Sequence, residues 1–341
     1  MTPVLTIVIP VYKTPPDMFA ACVKSVLAWE GDDLEVVAVV DSPGDPIEAR
    51  AVDVAARDAR VKVLRNEKNM GPSYSRNRGI GAARGEYVMM VDSDDVIDVK
   101  VCRRALDECK RRNLDFCAVG RIFQWQRAVG DDVEETHRLY IGSMTAPCEG
   151  ELEKVLCCIE MSSWGIILSK RLLSSTALKY PEDLRQNEDF VFMTSVVASA
   201  SSVALWDEVG YRAMPRKGSL SANRNFSRYR DELMAADRVL AMIGDRRLSD
   251  GVLRFYSLHC YNQIFVGWRN VGCAPDGWKE AVAPLLRKTA RGYVRRFRRQ
   301  LTFAAKMIVF VVALCPTSLM WKVPVAEYAF RAVRKLGWYY R

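Results

Sequence analysis

The stretch that decides the fold is YVMMVDSDD, residues 87–95. Its first five residues are apolar and lack the polar alternation of a half-exposed strand, which indicates a strand buried on both faces. Three similar apolar runs precede it, at 5–11, 35–40 and 61–64, and helical patterns separate them. This alternation of strands and helices predicts an α/β domain whose mostly parallel central sheet has helices on both faces.

Polar side chains follow the ends of these predicted strands. Pro10 and Tyr12 end the first strand, Asp41 ends the second, and Asp92 and Asp94 follow the fourth. Ligands of parallel sheets bind beyond the carboxyl ends of the strands. We therefore expect these side chains to converge on one rim of the sheet.

The acidic turn suggests a metal–diphosphate site. Asp92 and Asp94 are two residues apart, so the strand period places both carboxylates on one side, where they repel each other unless a cation lies between them. Mg²⁺ and Mn²⁺ take such oxygen ligands and complete their shell with substrate phosphates. The alternative is a solvated acidic turn in which Asp95 caps the next helix.

Composition restricts the chemistry. The 341 residues include ten cysteines without a CxxC pair and two histidines, His137 and His259. A histidine-rich metal site is thereby excluded and a Ser-His-Asp triad is disfavoured, so the chemistry must rest mainly on carboxylates. The cysteines, with no signal-peptide pattern at the N-terminus, predict buried thiols in a cytoplasmic protein.

The positive charge is confined to the C-terminal part of the sequence. The net charge is +9, and residues 285–341 contain 13 Lys/Arg against a single acid, Glu327. The rest of the chain is slightly acidic, so no nucleic-acid binding is expected of the main domain. From residue 226 onward the pattern becomes helical, which places a domain boundary near residue 225.

Two interpretations of this basic tail remain open. Residues 287–299 hold seven cations, and the segment 303–321 that follows is apolar except for Lys306 and a Pro-Thr-Ser break. Basic residues beside an apolar segment are typical of an interfacial helix on an anionic membrane, which predicts contact through 287–321. The second interpretation is a helical subdomain that packs its apolar face on the catalytic domain. The uninterrupted apolar run is shorter than the roughly 20 residues that span a bilayer.

The motifs around the acidic turn resemble a known family. They are Asn69–Gly71, Ser75–Gly79, Ala83–Val88 and Asp92–Asp95, and their order and spacing resemble those of the inverting GT-A glycosyltransferases of glycosyltransferase family 2. Shorter segments extend the likeness to roughly residues 3–221: Val8–Tyr12, Asn187–Phe190 and Arg216–Ser221. One departure is Val40-Asp41, where the family usually has two aspartates.

This resemblance implies a fold and an activity. The fold would be GT-A, a Rossmann-like sheet, with a catalytic domain at 1–225 divided into a nucleotide-sugar half (about 1–120) and an acceptor half (about 121–225). A helical, basic region would occupy 226–341. The activity would be metal-dependent transfer of a sugar, with inversion, from a nucleotide-diphosphate donor, expected to be a UDP-sugar. The acceptor would be a hydroxyl of a glycan or lipid-linked molecule, as in cell-surface polysaccharide synthesis.

The resemblance also assigns roles to individual residues. Asp189 would be the catalytic base, with a helix-capping role as its alternative, and Asp94 with Asp92 would bind Mn²⁺ or Mg²⁺. Glu188 and Trp164 would contact the acceptor, although an aromatic residue such as Trp164 is also typical of a core. The residues expected to bind the nucleotide-sugar are Pro10, Tyr12, Asp41, Gly71, Arg76, Asp92, Ser93 and Asp94. For Arg76, packing or an ion pair is the alternative.

Three other functions compete with this one. A sugar nucleotidyltransferase needs a Gly-rich phosphate loop after the first strand, and residues 11–16 lack it. A dinucleotide-dependent oxidoreductase fails because the glycines at 79–85 lie within and after a helix. A non-catalytic membrane- or nucleic-acid-binding module would use the basic tail alone. The sequence favours a cytoplasmic glycosyltransferase that is peripheral to the inner face of the cell membrane.

Overall fold

The computed structural model describes residues 2–129, 132–140, 152, 155–156, 159, 161–214, 226–244, 246–271 and 276–297. The chain forms two compact units, Met1–Ala222 and Asn223–Arg341. The Arg216–Ser221 motif and the apolar segment 303–321 lie outside the described residues.

The described part of the first unit contains nine strands and six helices. The strands are β1 (Leu5–Val11), β2 (Leu34–Val40), β3 (Val61–Arg65), β4 (Tyr87–Met90), β5 (Val96–Ile97), β6 (Phe116–Val129), β7 (Asp132–Tyr140), β8 (Ile166–Ser169) and β9 (Val203–Ala213). The helices are α1 (Pro16–Leu27), α2 (Pro46–Ala55), α3 (Pro72–Ala82), α4 (Val99–Arg112), α5 (Lys170–Ser175) and α6 (Glu188–Ser199).

All of these strands belong to one sheet, in the order β3-β2-β1-β4-β8-β6-β9-β5, and β7 pairs with β6 outside this path. The strands β3, β2, β1 and β4 run parallel, as their apolar sequences predicted. Beyond β4 the sheet is mixed, because β8 is antiparallel to both of its neighbours while β6 and β9 are parallel. The two-residue strand β5 was not predicted.

The apolar composition of the central strands explains their position. Every residue of β2 is buried, and in β1 only Pro10 is partly accessible. α3 packs so closely against β1 that a Cβ atom on Gly79 would collide with the side chain of Val8. This close packing places the N-terminus of α3 at the rim where β1, β2 and β4 end.

The described part of the second unit contains three helices that pack on one another, α7 (Phe226–Ile243), α8 (Asp250–Val271) and α9 (Asp276–Phe297). Leu233, Cys260 and Leu286 are buried in its interior. Lys288 of α9 forms an ion pair with Asp237 of α7. Within the part of the chain that the structure describes, no helix is both long and apolar enough to cross a membrane.

Candidate active site

The structure brings the predicted rim residues together in two clusters. The first surrounds Asp41, directly after β2, whose backbone N–H donates to the carbonyl of Val11 at the end of β1. The carboxylate of Asp41 is buried and accepts three hydrogen bonds. Its Oδ1 accepts from Nδ2 of Asn66 (2.7 Å) and the N–H of Met70 (2.8 Å), and its Oδ2 from the N–H of Gly71 (2.7 Å).

These bonds fix the entry into α3. Gly71 precedes the helix with a φ of 93°, in the left-handed region that favours glycine. A Cβ at this position would also collide with the guanidinium of Arg185, which donates to Asn69. Asp41 and Gly71, both predicted to bind the nucleotide-sugar, therefore form one structural element, and their contacts with a donor stay a prediction.

Asn66 is a member of this cluster that the sequence reasoning missed. Besides contacting Asp41, its Nδ2 donates to Oγ of Ser75 (3.0 Å), and its Oδ1 accepts from Nη1 of Arg78 (2.6 Å). The available signal was its position, since Asn66 directly follows β3 as Asp41 follows β2. Parallel strands end at a common rim, so the side chain after the third strand belonged with the others.

The second cluster contains the acidic turn after β4. Asp92 is partly exposed and its Oδ1 accepts from Nη2 of Arg76 (3.0 Å), while Asp94 is partly exposed beside it. Asp95 is buried and accepts from the hydroxyl of Tyr211 (2.6 Å) and the N–H of Met214 (2.7 Å). The helix-capping role considered for Asp95 is wrong. Asp98 caps α4 instead, because it is the residue adjacent to the helix and its carboxylate accepts from two N–H groups of the first turn.

Tyr211 was also missed by the sequence reasoning. Its fully buried hydroxyl donates to Asp95 and accepts from the N–H of Asp92 (3.1 Å), so it holds the turn at both ends. Ser93 is buried, and its hydroxyl is hydrogen-bonded to that of Thr14 at 2.6 Å. The side chains of Tyr211 and Ser93 thus leave the carboxylates of Asp92 and Asp94 on the partly exposed side of the turn.

The turn carries an excess of negative charge. Burial, followed by the charges of Asp92 and Asp94, raises the pKa of Asp95 well above its usual range. The thiol of Cys22, buried behind the turn, has a raised pKa for the same reasons. A nearby cation relieves such repulsion between carboxylates.

Arg76 connects the acidic turn to the Glu188–Asp189 motif at the start of α6. It is only 6% exposed. Its Nη2 donates to Asp92, its Nη1 donates to Oε1 of Glu188 (2.8 Å), and the same Nη1 lies 3.7 Å from Oδ1 of Asp189. One buried cation is thus shared by three carboxylates. The ion pair that we gave as the alternative role of Arg76 is present, and its contact with donor phosphates stays a prediction.

The two acids of the motif have different surroundings. Glu188 is buried, and burial together with the charge of Asp189 raises its pKa to about 7 against the opposing effect of Arg76. Asp189 is partly exposed, and its Oδ1 accepts from the hydroxyl of Ser163 (2.8 Å). Asp189 therefore combines fixed neighbours with access from solvent.

Trp164 lies between the acidic turn and the Glu188–Asp189 motif. Its backbone bridges to Met90 at the end of β4, and its ring centroid is 4.9 Å from that of Tyr211. The guanidinium of Arg121 lies 4.3 Å from the same ring. These contacts give Trp164 a packing role, and stacking on an acceptor sugar stays a prediction. Tyr12 follows β1 and is partly exposed near Lys13.

The donor atoms of the turn fit a divalent ion that is shared with a substrate. Among the described residues there is no cluster of three or more His, Cys, Asp or Glu side chains arranged to hold a metal. Mg²⁺ and Mn²⁺ do not require one, because they commonly bind through one or two carboxylates and complete their shell with phosphates and water. Asp94 and Asp92 supply two such groups where negative charge is in excess.

Comparison with known proteins shows a family match over the N-terminal part of the chain. Residues 6–145 match the family described as Glycosyl transferase family 2. The chain is 29% identical over 235 residues to the uncharacterized glycosyltransferase EpsJ of Bacillus subtilis, covering 65% of this chain and 64% of that protein. It is 29% identical over 246 residues to the succinoglycan biosynthesis protein ExoO of Rhizobium meliloti, covering 69% and 67%. The match thus spans about two thirds of each relative.

The fold has a counterpart among solved structures. The crystal structure of S. aureus TarS 1–349 in complex with UDP-GlcNAc superposes with a TM-score of 0.73 at 19% identity, covering 99% of this chain and 93% of that one. The fold is that of the GT-A glycosyltransferases, with a helical C-terminal region, as the sequence predicted. Together with the match over residues 6–145, this fold indicates a glycosyltransferase of family 2.

Proposed function

We propose that this protein transfers a sugar from a nucleotide-diphosphate donor, a UDP-sugar, to a hydroxyl group of a glycan or lipid-linked acceptor, with inversion at the anomeric carbon. The observation that carries the proposal is the contact of Arg76 with both Asp92 and Glu188. It joins the acidic turn, expected on the donor side, to the motif that carries Asp189. A leaving diphosphate and a base are needed within one site, and this network supports such an arrangement.

The names of the similar proteins support the substrate class. The TarS structure contains UDP-GlcNAc, and ExoO is named for succinoglycan biosynthesis. A nucleotide-sugar donor and a polysaccharide pathway agree with a carboxylate-rich rim. We propose that Asp41, Gly71, Pro10 and Tyr12 shape the nucleoside side of the site and that Ser93 supports the turn.

We propose that Asp94, assisted by Asp92, would hold Mn²⁺ or Mg²⁺. Such an ion supplies positive charge that stabilises a departing diphosphate. Arg76 balances part of the charge of Asp92 and keeps this carboxylate at the rim. Asp95, which Tyr211 and Met214 already engage, supports the turn from behind.

Asp189 is the proposed base. It is partly exposed, whereas Glu188 beside it is buried against Arg76. A carboxylate within hydrogen-bond reach of the acceptor hydroxyl can take its proton as the oxygen attacks. Glu188 would then orient Arg76 and the acceptor side of the site, and Trp164, which directly follows the Ser163 that contacts Asp189, would contact the acceptor.

The second unit supports an association with an anionic membrane surface. Lys288, Arg291 and Arg295 are exposed and share one face of α9. Arg296 donates to the carbonyl of Arg246 and thereby brings the loop before α8 to the end of this face. We propose that this face and the following segment to residue 321 bind anionic lipid, which suits a lipid-linked acceptor and a peripheral position on the inner face of the membrane.

The experiment that tests the activity separates donor binding from transfer. In D189N, UDP-sugar binding measured by calorimetry should stay within about twofold of wild type while transfer falls by 10³-fold or more, because only the base is lost. Near-normal turnover in D189N would show that another group accepts the proton.

Vesicle flotation tests the lipid proposal. R291E/R295E should lose binding to anionic vesicles, and R57E/K62E, with the same charge change on the first unit, should retain it.

A further inference from the structure

Ser163 contacts Asp189 from a fixed position. It is fully buried and directly precedes Trp164, whose backbone bridges to β4. On its other side, the carbonyl and hydroxyl of Ser162 accept hydrogen bonds from Arg121. The backbone of Ser163 is therefore held on both sides, and its hydroxyl donates to Oδ1 of Asp189 at 2.8 Å.

The two oxygens of Asp189 are not equivalent. Ser163 donates to Oδ1, and Nη1 of Arg76 lies 3.7 Å from the same oxygen. No hydrogen bond from any of the described residues reaches Oδ2. The contacts thus hold one oxygen and leave the other for a molecule that enters the site.

We propose that Ser163 is a positioning residue, whose hydroxyl holds Oδ1 of Asp189 so that Oδ2 takes the proton of the acceptor hydroxyl. The inference rests on the proposed transfer reaction. In that step the acceptor O–H bond breaks and its proton moves to Oδ2, while the acceptor oxygen forms a bond to the anomeric carbon. The bond from that carbon to the diphosphate breaks, and its electron pair leaves with the nucleoside diphosphate.

The charges that face Asp189 stay in place when Ser163 is changed. They are Arg76 from α3 and Glu188 on α6 itself, with Asp92 at the far end of Arg76, and Tyr180 from the segment before α6 is a neutral titratable neighbour. Ser163 is neutral and does not titrate in the working range. Its removal therefore changes the hydrogen bonding of the base without changing the charges around it.

The test is S163A, which leaves the volume of the site nearly unchanged. We expect kcat to fall about tenfold, the KM for the donor to stay within about twofold, and the acidic limb of the pH–rate profile to move up by about half to one pH unit, since a donor to the ionised form is lost. S163T, which keeps the hydroxyl, should return the acidic limb of the pH–rate profile to its wild-type position. A purely structural role would lower the melting temperature without moving the limb.

S162A is the matched control, because it removes a neighbouring hydroxyl that contacts Ile159 and Arg121 and not Asp189. Carboxyl ¹³C NMR, with D189N to identify the signal, gives a readout that does not depend on turnover. The titration midpoint of this signal should rise in S163A and not in S162A. Equal midpoints in S163A and wild type would overturn the role of Ser163 even if transfer is confirmed. Absent transfer with a shifted midpoint would overturn the proposed function alone.

Discussion

The Asp41 cluster and the Arg76 cluster hold buried or half-buried carboxylates at the same rim in opposite ways. Around Asp41, one carboxylate accepts three hydrogen bonds from neutral donors, two of them backbone amides. Around Arg76, one guanidinium serves the carboxylates of Asp92, Glu188 and Asp189. In the first arrangement, hydrogen bonds stabilise the single carboxylate. In the second, one positive charge faces three carboxylates, so negative charge is in excess.

This difference distinguishes a cluster that fixes the backbone from a cluster that can bind a ligand or accept a proton. A carboxylate whose lone pairs are occupied by the backbone fixes a loop, here the entry into α3. Carboxylates that compete for one cation can still accept a metal ion, a proton or a substrate hydroxyl, because their charge is only partly compensated. We therefore expect the donor and acceptor functions mainly in the Arg76 cluster, with the Asp41 cluster as its frame.

The largest effect is expected from R76A. Removing the buried cation leaves the buried Glu188 and the partly exposed Asp92 without their shared partner, which costs about 3–5 kcal/mol of the free energy of unfolding. Urea denaturation measures this loss, and transfer should disappear with it. The exposed Arg57 is the control, since R57A should stay within about 0.5 kcal/mol of wild type. A loss equal to that of R57A would show that the three carboxylates do not depend on Arg76.

A smaller loss is expected from D41N. The amide keeps the shape of the side chain but places an NH₂ group where an oxygen accepts from an N–H, either that of Gly71 or that of Met70. Losing a hydrogen bond to a charged group costs about 2 kcal/mol. Urea denaturation should show this loss without the pH dependence expected of the Arg76 cluster. If D41N destabilised the protein more than R76A, the contrast between the clusters would be wrong.

The smallest effect is a pH dependence in E188Q. The pKa of Glu188 in the folded protein is raised to about 7, chiefly by burial, above its ordinary value of 4.5. The folded state then holds this proton more tightly, so its stabilising contribution is complete below about pH 4.5 and is lost as the pH rises through about 7. The charged groups that face Glu188 are Asp189 and Arg76.

E188Q should therefore lose less stability than wild type between pH 5 and pH 7.5, as measured by urea denaturation at both values. The exposed Glu86 is the matched control, and E86Q should keep the wild-type slope. If stability changed with pH in E188Q as it does in wild type, a group other than Glu188 would be responsible for the pH dependence.

The sequence was sufficient for the parallel half of the sheet and for the members of the rim. Long apolar strands and a rim of polar residues are local patterns, so β1 to β4, Asp41, Asp92 and Asp94 could be placed from spacing alone. The two-residue strand β5 could not, because it exists only by pairing with β9. Asp98 rather than Asp95 caps α4 because it directly precedes the helix, while the tertiary contact with Tyr211 engages Asp95.

The partners of Arg76 were beyond the reach of sequence reasoning. Glu188 is 112 residues away, and Ser163 lies 26 residues before Asp189. No periodicity links such positions, and only the folding of α6 against the sheet brings them together. Asn66, by contrast, lies at the end of a predicted strand, so the rule that identified Asp41 would have identified it as well.

The most direct test of the account is a calorimetric titration of UDP with and without Mn²⁺ into wild type and D94N. The account predicts that Mn²⁺ strengthens UDP binding to wild type by at least tenfold and that D94N loses this gain while keeping its fold and its metal-free affinity. Equal enhancement by Mn²⁺ in both proteins, or none in wild type, would contradict the claim that the aspartates after β4 bind the diphosphate through a divalent ion.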